Sequence, residues 1–201
     1  MTKPSAAERG AERRVYIDGR ATLPHPDAFR RTVILRAARR LYFSTIYKPL
    51  HAQPYTVDDR PAGIFAAPVT ASELTDAVRT CPHLFQERVD KVADVRVTVV
   101  GERTFAARIT APTDVLDWRA DYAHLNYDVV ECPPEVTTGM QHMLRQFGLS
   151  FGAFDFAVTS AGEWWFLELN PNGEWAWVED RTELPIASAL ADVLQDGETR
   201  T

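Results

Sequence analysis

Asp155, Glu168 and Asn170 are the residues of this chain whose types and spacing point most directly to chemistry. They lie in two apolar runs, Phe151-Gly-Ala-Phe-Asp-Phe-Ala-Val-Thr159 and Trp164-Trp-Phe-Leu-Glu-Leu-Asn170, joined by the turn-like Ser160-Ala161-Gly162-Glu163. Pairing Thr159 with Trp164 and counting outward predicts Asp155 directly across from Glu168. A tighter turn at Ala161-Gly162 predicts the same register. Strand alternation puts Asn170 on that face too, along with Phe151, Ala153, Trp164 and Phe166. Facing carboxylates repel by about 1 kcal/mol or less when exposed, and by more when buried. A divalent cation reverses that sign, and two carboxylates plus an amide oxygen, completed by phosphate and water, suit hard Mg2+. The alternative is an ordinary hairpin with a solvated polar face. The apolar neighbours weigh against it, because a carboxylate pair inside an apolar face needs a reason.

The other candidates are single residues. Lysine is scarce, with only Lys3, Lys48 and Lys91 in the chain. Lys48 ends a strand beside a polar loop, where a point charge reaches phosphate oxygens while the loop closes. A strand-end lysine that snorkels to water is the equal alternative. His83-Leu-Phe-Gln-Glu-Arg-Val89 reads as a strand with polar residues in its middle. Where such a strand stops pairing, its backbone groups are open to a ligand such as a purine edge, although an edge strand explains the pattern equally well. Arg96, inside Asp94-Val-Arg-Val-Thr-Val-Val100, needs a partner, either Asp94 on the same face or a phosphate. Arg119, in Asp117-Trp118-Arg119, is either a clamp for phosphate or an acidic substrate, or a surface arginine. Trp175 and Trp177 alternate beside Glu174 and Glu179 and read as core anchors rather than as a peptide-contacting wall.

The elements that must position these residues are mixed. The chain has 201 residues, enough for one large domain or two small lobes. Its 45% apolar and 25% charged content is that of an ordinary globular protein. A net charge of −6 without a dense basic stripe argues against nucleic acid as a partner. Cys81 and Cys132 stand far apart, with no CxxC or His-x3-His pair, which argues against zinc and against a disulfide framework. No signal core and no membrane-spanning run are present, so a reducing cytoplasm is the expected location.

Along the chain, residues 1–13 read as a disordered polar tail and 14–26 as a weak strand with a Pro-rich turn. Residues 27–42 have a helical period through Phe29, Val33, Ile34, Ala37, Ala38 and Leu41. Strands are predicted over 43–48, 63–67 and 83–89, with a mobile loop over 51–62. Thr70-Ala-Ser-Glu73 is a capping box predicting a helix through Val78. Residues 94–100 and 104–110 form a hairpin around Gly101-Glu102, and 111–131 show no clear period. Pro133-Pro134 opens a helix with a stripe of Val136, Met140, Met143, Leu144 and Phe147, stopped by Gly148. Asn170-Pro171-Asn172-Gly173 is a turn. Residues 185–194 form a closing helix with Ile186, Leu190, Val193 and Leu194 as its stripe. The class is α+β.

Taken in order, six strings resemble the ATP-grasp ligases: Tyr-Lys-Pro-Leu at 47–50, Leu-Phe-Gln-Glu at 84–87, Asp-Val-Arg-Val-Thr-Val-Val-Gly at 94–101, Asp-Trp-Arg at 117–119, Phe-Gly-Ala-Phe-Asp-Phe at 151–156 and Leu-Glu-Leu-Asn-Pro-Asn-Gly at 167–173. The wording is most similar to the ATP-grasp ribosomal peptide maturases, the graspetide synthetases of microviridin type. The ending through Trp175, Trp177 and Leu184-Pro185-Ile186 fits that subgroup. The resemblance implies an ATP-grasp fold, two α+β lobes with antiparallel sheets clasping ATP. It divides the chain into a poorly matched, partly disordered segment 1–42, a small lobe 43–90, a large lobe 91–195 with the magnesium site, and a tail 196–201.

It further implies Asp155, Glu168 and Asn170 as Mg2+ ligands, Lys48 as a nucleotide-phosphate lysine, and Gln86, Glu87, Arg88 and Val89 as the adenine hinge. Asp94 falls near the ribose end, and Arg96 and Arg119 face phosphates or the activated carboxylate as catalytic residues. The implied reaction phosphorylates an Asp or Glu side chain of a precursor peptide with ATP. A Ser or Thr hydroxyl or a Lys amine then attacks the acyl phosphate, giving an ester or amide crosslink. The implied partner is a precursor peptide with its leader, and a homodimer or a missing N-terminal half stays open. Family members carry a whole N-terminal domain before the Tyr-Lys-Pro strand, whereas 47 residues precede Lys48 here, so that domain is expected to be missing. Two other readings remain: another ATP-grasp carboxylate–amine ligase acting on a small acid or protein tail, and a truncated, non-catalytic ATP- and peptide-binding protein.

Overall fold

The computed structural model describes residues 32–35, 44–49, 55–79, 83–111 and 115–198. The expectations for 1–31, and all of the 27–42 helix except 32–35, lie outside them. The chain divides into two compact units, Met1–Arg88 and Val89–Thr201.

In the first unit, β1 (Thr32–Leu35), β2 (Thr45–Lys48), β3 (Tyr55–Val57), β4 (Arg60–Ala62), β5 (Ala67–Val69) and β6 (His83–Glu87) are all short. Four of them form an antiparallel sheet in the order β1-β6-β2-β5. Several expectations are corrected here. Thr32–Leu35 is strand, not helix: Thr-Val-Ile is β-branched, and pairing with β6 completes its ladder. Strand β6 is an inner strand, bordered by β1 and β2, not an edge.

The segment 51–62 contains a hairpin, β3–β4, where a loop was expected. Its turn is made by Asp58 and Asp59 at φ 49° and 59°. Two successive left-handed residues match the twist of the flanking strands. The strand expected over 63–67 forms instead at Ala67–Val69. Only half of the capping box forms: Thr70 N and Oγ1 each donate to Glu73 Oε2 at 2.7 Å, while Glu73 N donates to the Thr70 carbonyl at 3.1 Å and not to Oγ1. It closes only a turn, and one 3₁₀ turn follows at Asp76–Arg79. Ser72, Glu73, Thr75 and Asp76 are exposed, so these four residues bury nothing that would offset the cost of nucleating a longer helix.

The second unit is built on β7 (Lys91–Val100), β8 (Arg103–Thr110), β9 (Asn126–Val129), β10 (Phe151–Thr159) and β11 (Trp164–Asn170). They form an antiparallel sheet in the order β11-β10-β7-β8-β9. Gly101, at φ 58°, makes the β7–β8 turn. The stretch without a period before residue 131 holds β9 and two 3₁₀ turns, Trp118–Ala120 and Tyr122–His124.

Helix α1 (Pro134–Phe147) starts with Pro at its first turn and stops at Gly148, whose φ is 64°. It buries Met140, Met143 and Leu144, whereas Phe147, expected in the stripe, is 49% exposed. Leu144 packs over Gly152 of β10, where any Cβ would stand 2.8 Å from its Cδ2. Gly152 alternates with Ala153, so α1 covers the face of β10 that carries Phe154 and Phe156. The opposite face is covered by α2 (Ala176–Thr182), a helix the alternation of Trp175 and Trp177 did not suggest, and α3 (Ile186–Glu198). Val100, Phe105, Ala107, Val178, Ile186 and Ala189 form the buried cluster there. Glu179 Oε2 accepts from Ala187 N at 2.8 Å and so caps the first turn of α3. Leu194, expected in the α3 stripe, is 70% exposed. Among the described residues, no helix is long and apolar enough to cross a membrane.

Candidate functional site

The second sheet lines up three charged residues across neighbouring strands. Glu168 of β11 pairs with Asp155 of β10, and Asp155 pairs on its other side with Arg96 of β7. The register reaches this point differently from the count outward from Thr159. Trp164 pairs with Val158, and a shift between Phe156 and Asp155 leaves Leu167 as an extra residue. This β-bulge restores Asp155 opposite Glu168. It also moves Trp164 and Phe166 to the other face, a correction to their expected place beside the carboxylates. There they meet Phe156 at ring-centroid distances of 5.5 and 5.9 Å.

Arg96 is held at several points. Nε donates to Asp155 Oδ1 at 2.7 Å and Nη2 to Oδ2 at 3.1 Å. Nη1 donates to the Glu174 carbonyl at 3.3 Å, and the guanidinium carbon lies 5.7 Å from the centroid of the Trp177 ring. The partner is therefore Asp155, a cross-strand neighbour, and not Asp94 two residues away. Asp94, expected near a ribose, accepts from Lys91 Nζ at 2.7 Å, and Lys91 also donates to the Leu116 carbonyl at 2.8 Å. Burial pushes the Asp155 carboxyl up to about 6; Arg96 opposes this, and the Glu168 carboxylate adds to it.

Arg119 is fixed by Asp117, whose Oδ1 accepts from Nε at 2.9 Å and whose Oδ2 accepts from Nη2 at 2.8 Å. That pairing holds Arg119 above the usual arginine range, and the fields of Glu168 and Asp155 act in the same direction. Asn170 Oδ1 accepts from Asn172 N at 3.0 Å in the turn after β11.

The donor set fits a hard divalent cation. Asp155 and Glu168 are opposed, Asn170 lies two residues along the same strand, and all three offer oxygen. Each Asp155 oxygen keeps lone-pair capacity beyond its bond to Arg96, and a cation favours the charged form that burial disfavours. The set depends on the amide: among the described residues, no group of three or more His, Cys, Asp or Glu is gathered for a metal.

The remaining candidates sit in the first unit, except Val89, which opens the second. Lys48 ends β2 across from Leu84. Gln86 is buried and paired on both sides, with Thr32 and Ile46, and Glu87 pairs with Thr45. Arg88 N donates to Ser44 O at 2.8 Å, and Val89 and Asp90 follow in irregular backbone. The sequence reading did not single out Gly173, the Glu174 carbonyl or Asp117. Only the Asn-Pro-Asn-Gly turn and the Asp-Trp-Arg string drew attention to their neighbourhoods.

The α+β fold, with its four- and five-stranded antiparallel sheets, is that of the ATP-grasp class, as comparison with solved structures establishes. A ligase associated with ribosomally made peptides from Chryseobacterium gregarium, solved with ADP and a leader and core peptide, aligns over 77% of this chain and 49% of its own. The TM-score is 0.67 and the identity 25%. The macrocyclase MdnC of Microcystis aeruginosa, bound with its precursor peptide MdnA, aligns over 77% of this chain and 50% of its own, with a TM-score of 0.64 and 31% identity. The ligase PsnB, solved with a minimal precursor, Mg and ADP, aligns over 75% and 46%, with a TM-score of 0.54 and 25% identity. The chain thus resembles ATP-grasp ligases of ribosomally made peptides, and spans about half the length of these structures. No protein-family model and no curated protein matches it.

Proposed function

We propose that this chain is an ATP-dependent peptide ligase, or the nucleotide-binding half of one. The observation that carries the reading is the Glu168–Asp155–Arg96 row, two carboxylates and a guanidinium on neighbouring strands of an ATP-grasp sheet. Asp155, Glu168 and Asn170 would hold Mg2+, which when bound offsets charge on the triphosphate and on the transferring phosphoryl group. Lys48 supplies a point charge for phosphate, Gln86 to Val89 the adenine hinge, and Asp94 a group toward the ribose. Arg96 and Arg119 face the phosphates or the activated carboxylate.

The γ-phosphoryl group passes from ATP to an Asp or Glu carboxylate of a precursor peptide, giving an acyl phosphate and ADP. A Ser or Thr hydroxyl or a Lys amine attacks the acyl carbon, loses its proton and expels phosphate, leaving an ester or amide crosslink. The ADP and peptides bound in the solved relatives support this substrate class.

The test is calorimetric titration of ATP with Mg2+ into wild type and Glu168→Ala. Wild type binds in a magnesium-dependent way, and the variant binds more than about tenfold more weakly. A folded wild type that does not bind sinks the reading of this chain as an autonomous enzyme. With a precursor peptide added, mass spectrometry then reads the loss of one water per crosslink.

A further inference from the structure

Arg96 is only 9% exposed, and its guanidinium is held in place by the segment that follows β11. Gly173 lies so close to β10 that a Cβ there would come within 2.4 Å of the Ala153 Cβ. This approach lowers the Glu174 carbonyl onto Nη1 and sets the ring of Trp177 over the guanidinium carbon. The ring is itself wedged, 5.3 Å from Trp118 and 5.8 Å from Tyr127 between centroids. A guanidinium within about 6 Å of a Trp ring is attracted by the ring quadrupole, more so when desolvated.

We infer that Trp177 is a positioning residue that pins the Arg96 guanidinium beside Asp155, in the orientation in which Arg96 meets phosphate. This rests on the nucleotide reading above for its consequence, and on the geometry alone for the pin itself. Trp177 does not touch the substrate; it acts through Arg96. Trp177 also belongs to the apolar packing around α2 and α3, so a plain loss of function in one variant would not separate pinning from packing. A cycle with Arg96 separates them.

The experiment measures MgATP affinity by calorimetry in wild type, Trp177→Leu, Trp177→Phe, Arg96→Met and the double variant Trp177→Leu/Arg96→Met. Trp177→Leu weakens binding about fivefold, and Trp177→Phe, which keeps a ring face, stays within about twofold of wild type. In the Arg96→Met background, Trp177→Leu has no further effect. An equal loss in that background, or Trp177→Phe as poor as Trp177→Leu, overturns the inference in favour of packing. Should folded wild type not bind MgATP, the nucleotide reading fails, and the same four-way cycle in urea midpoints decides the pin. Coupled midpoints for Trp177 and Arg96 uphold it, and additive midpoints overturn it.

Discussion

Gly173→Ala is the most direct test of how the site is assembled. The added methyl would stand 2.4 Å from the Ala153 Cβ, and 3.4 Å from both the Asn170 Cβ and the Asn170 carbonyl oxygen. Carbon atoms in contact prefer about 3.5–4.0 Å, so something must retreat by more than about 1 Å. Ala153 is fully buried in the sheet interior, paired with Thr98 on one side and Asn170 on the other, and cannot give way. The retreat therefore falls on the 173–177 segment. The Glu174 carbonyl, already at 3.3 Å from Arg96 Nη1, leaves hydrogen-bonding range, and the Trp177 ring, at 5.7 Å, moves to the limit of its hold. Overpacking of this kind costs about 1–3 kcal/mol.

All five tryptophans, Trp118, Trp164, Trp165, Trp175 and Trp177, lie in the second unit, so urea unfolding followed by tryptophan fluorescence reads that unit alone. The decisive variant is Gly173→Ala/Ala153→Gly. It exchanges the two residues across the contact, removes the clash, and restores most of the stability lost in Gly173→Ala. If Gly173→Ala is within about 0.5 kcal/mol of wild type, or if Ala153→Gly fails to rescue it, the close approach is not what seats the segment.

Two further predictions concern the buried charges. The Asp155 carboxyl is raised from 3.8 to about 6, so the folded protein holds that proton more tightly than the unfolded chain. Stability therefore falls as pH rises from about 4 to about 6 and levels off above, by about 3 kcal/mol in all; a wild-type slope unchanged in Asp155→Asn would refute this. Lys91→Met removes the ammonium from Asp94 and from the Leu116 carbonyl, in a pair whose side chains are 14% and 11% exposed. Urea unfolding registers a loss of about 3 kcal/mol, and adding Asp94→Asn costs less than the two single changes together because they share one interaction.

Much of the second unit is legible in the sequence because its signals are local. Gly101 and the alternation around it specify the β7–β8 hairpin, and Pro134 and Gly148 bracket α1. The first unit was harder because its strands are three to five residues long, too short for a period to declare itself. Thr32–Leu35 sits in a run with a helical period, and only the presence of β6 alongside it decides for strand. Asp58 and Asp59 make a tight turn without the glycine that would have announced one. Helix α2 is a similar case, since seven residues flanked by Trp175 and Glu183 give two tryptophans that alternate as readily as they wind.

The site divides along the same line. Asp155 opposite Glu168 follows from the turn and the pleat, so it can be counted out from the hairpin, but the count succeeds because the bulge at Leu167 cancels a one-residue error in the turn. A bulge adds a residue without changing composition, and so the flip of Trp164 and Phe166 to the α1 face leaves no mark in the pattern. The partner of Arg96 needed strand order, which no local signal carries: Asp155 is 59 residues away and becomes a neighbour only because β10 inserts between β7 and β11. That insertion has an electrostatic consequence. It sets two carboxylates against one guanidinium on one face, with the charge of Arg119 already met by Asp117. The row is left one positive charge short, and of its two carboxylates burial disfavours the charge on Asp155, while Glu168 is exposed.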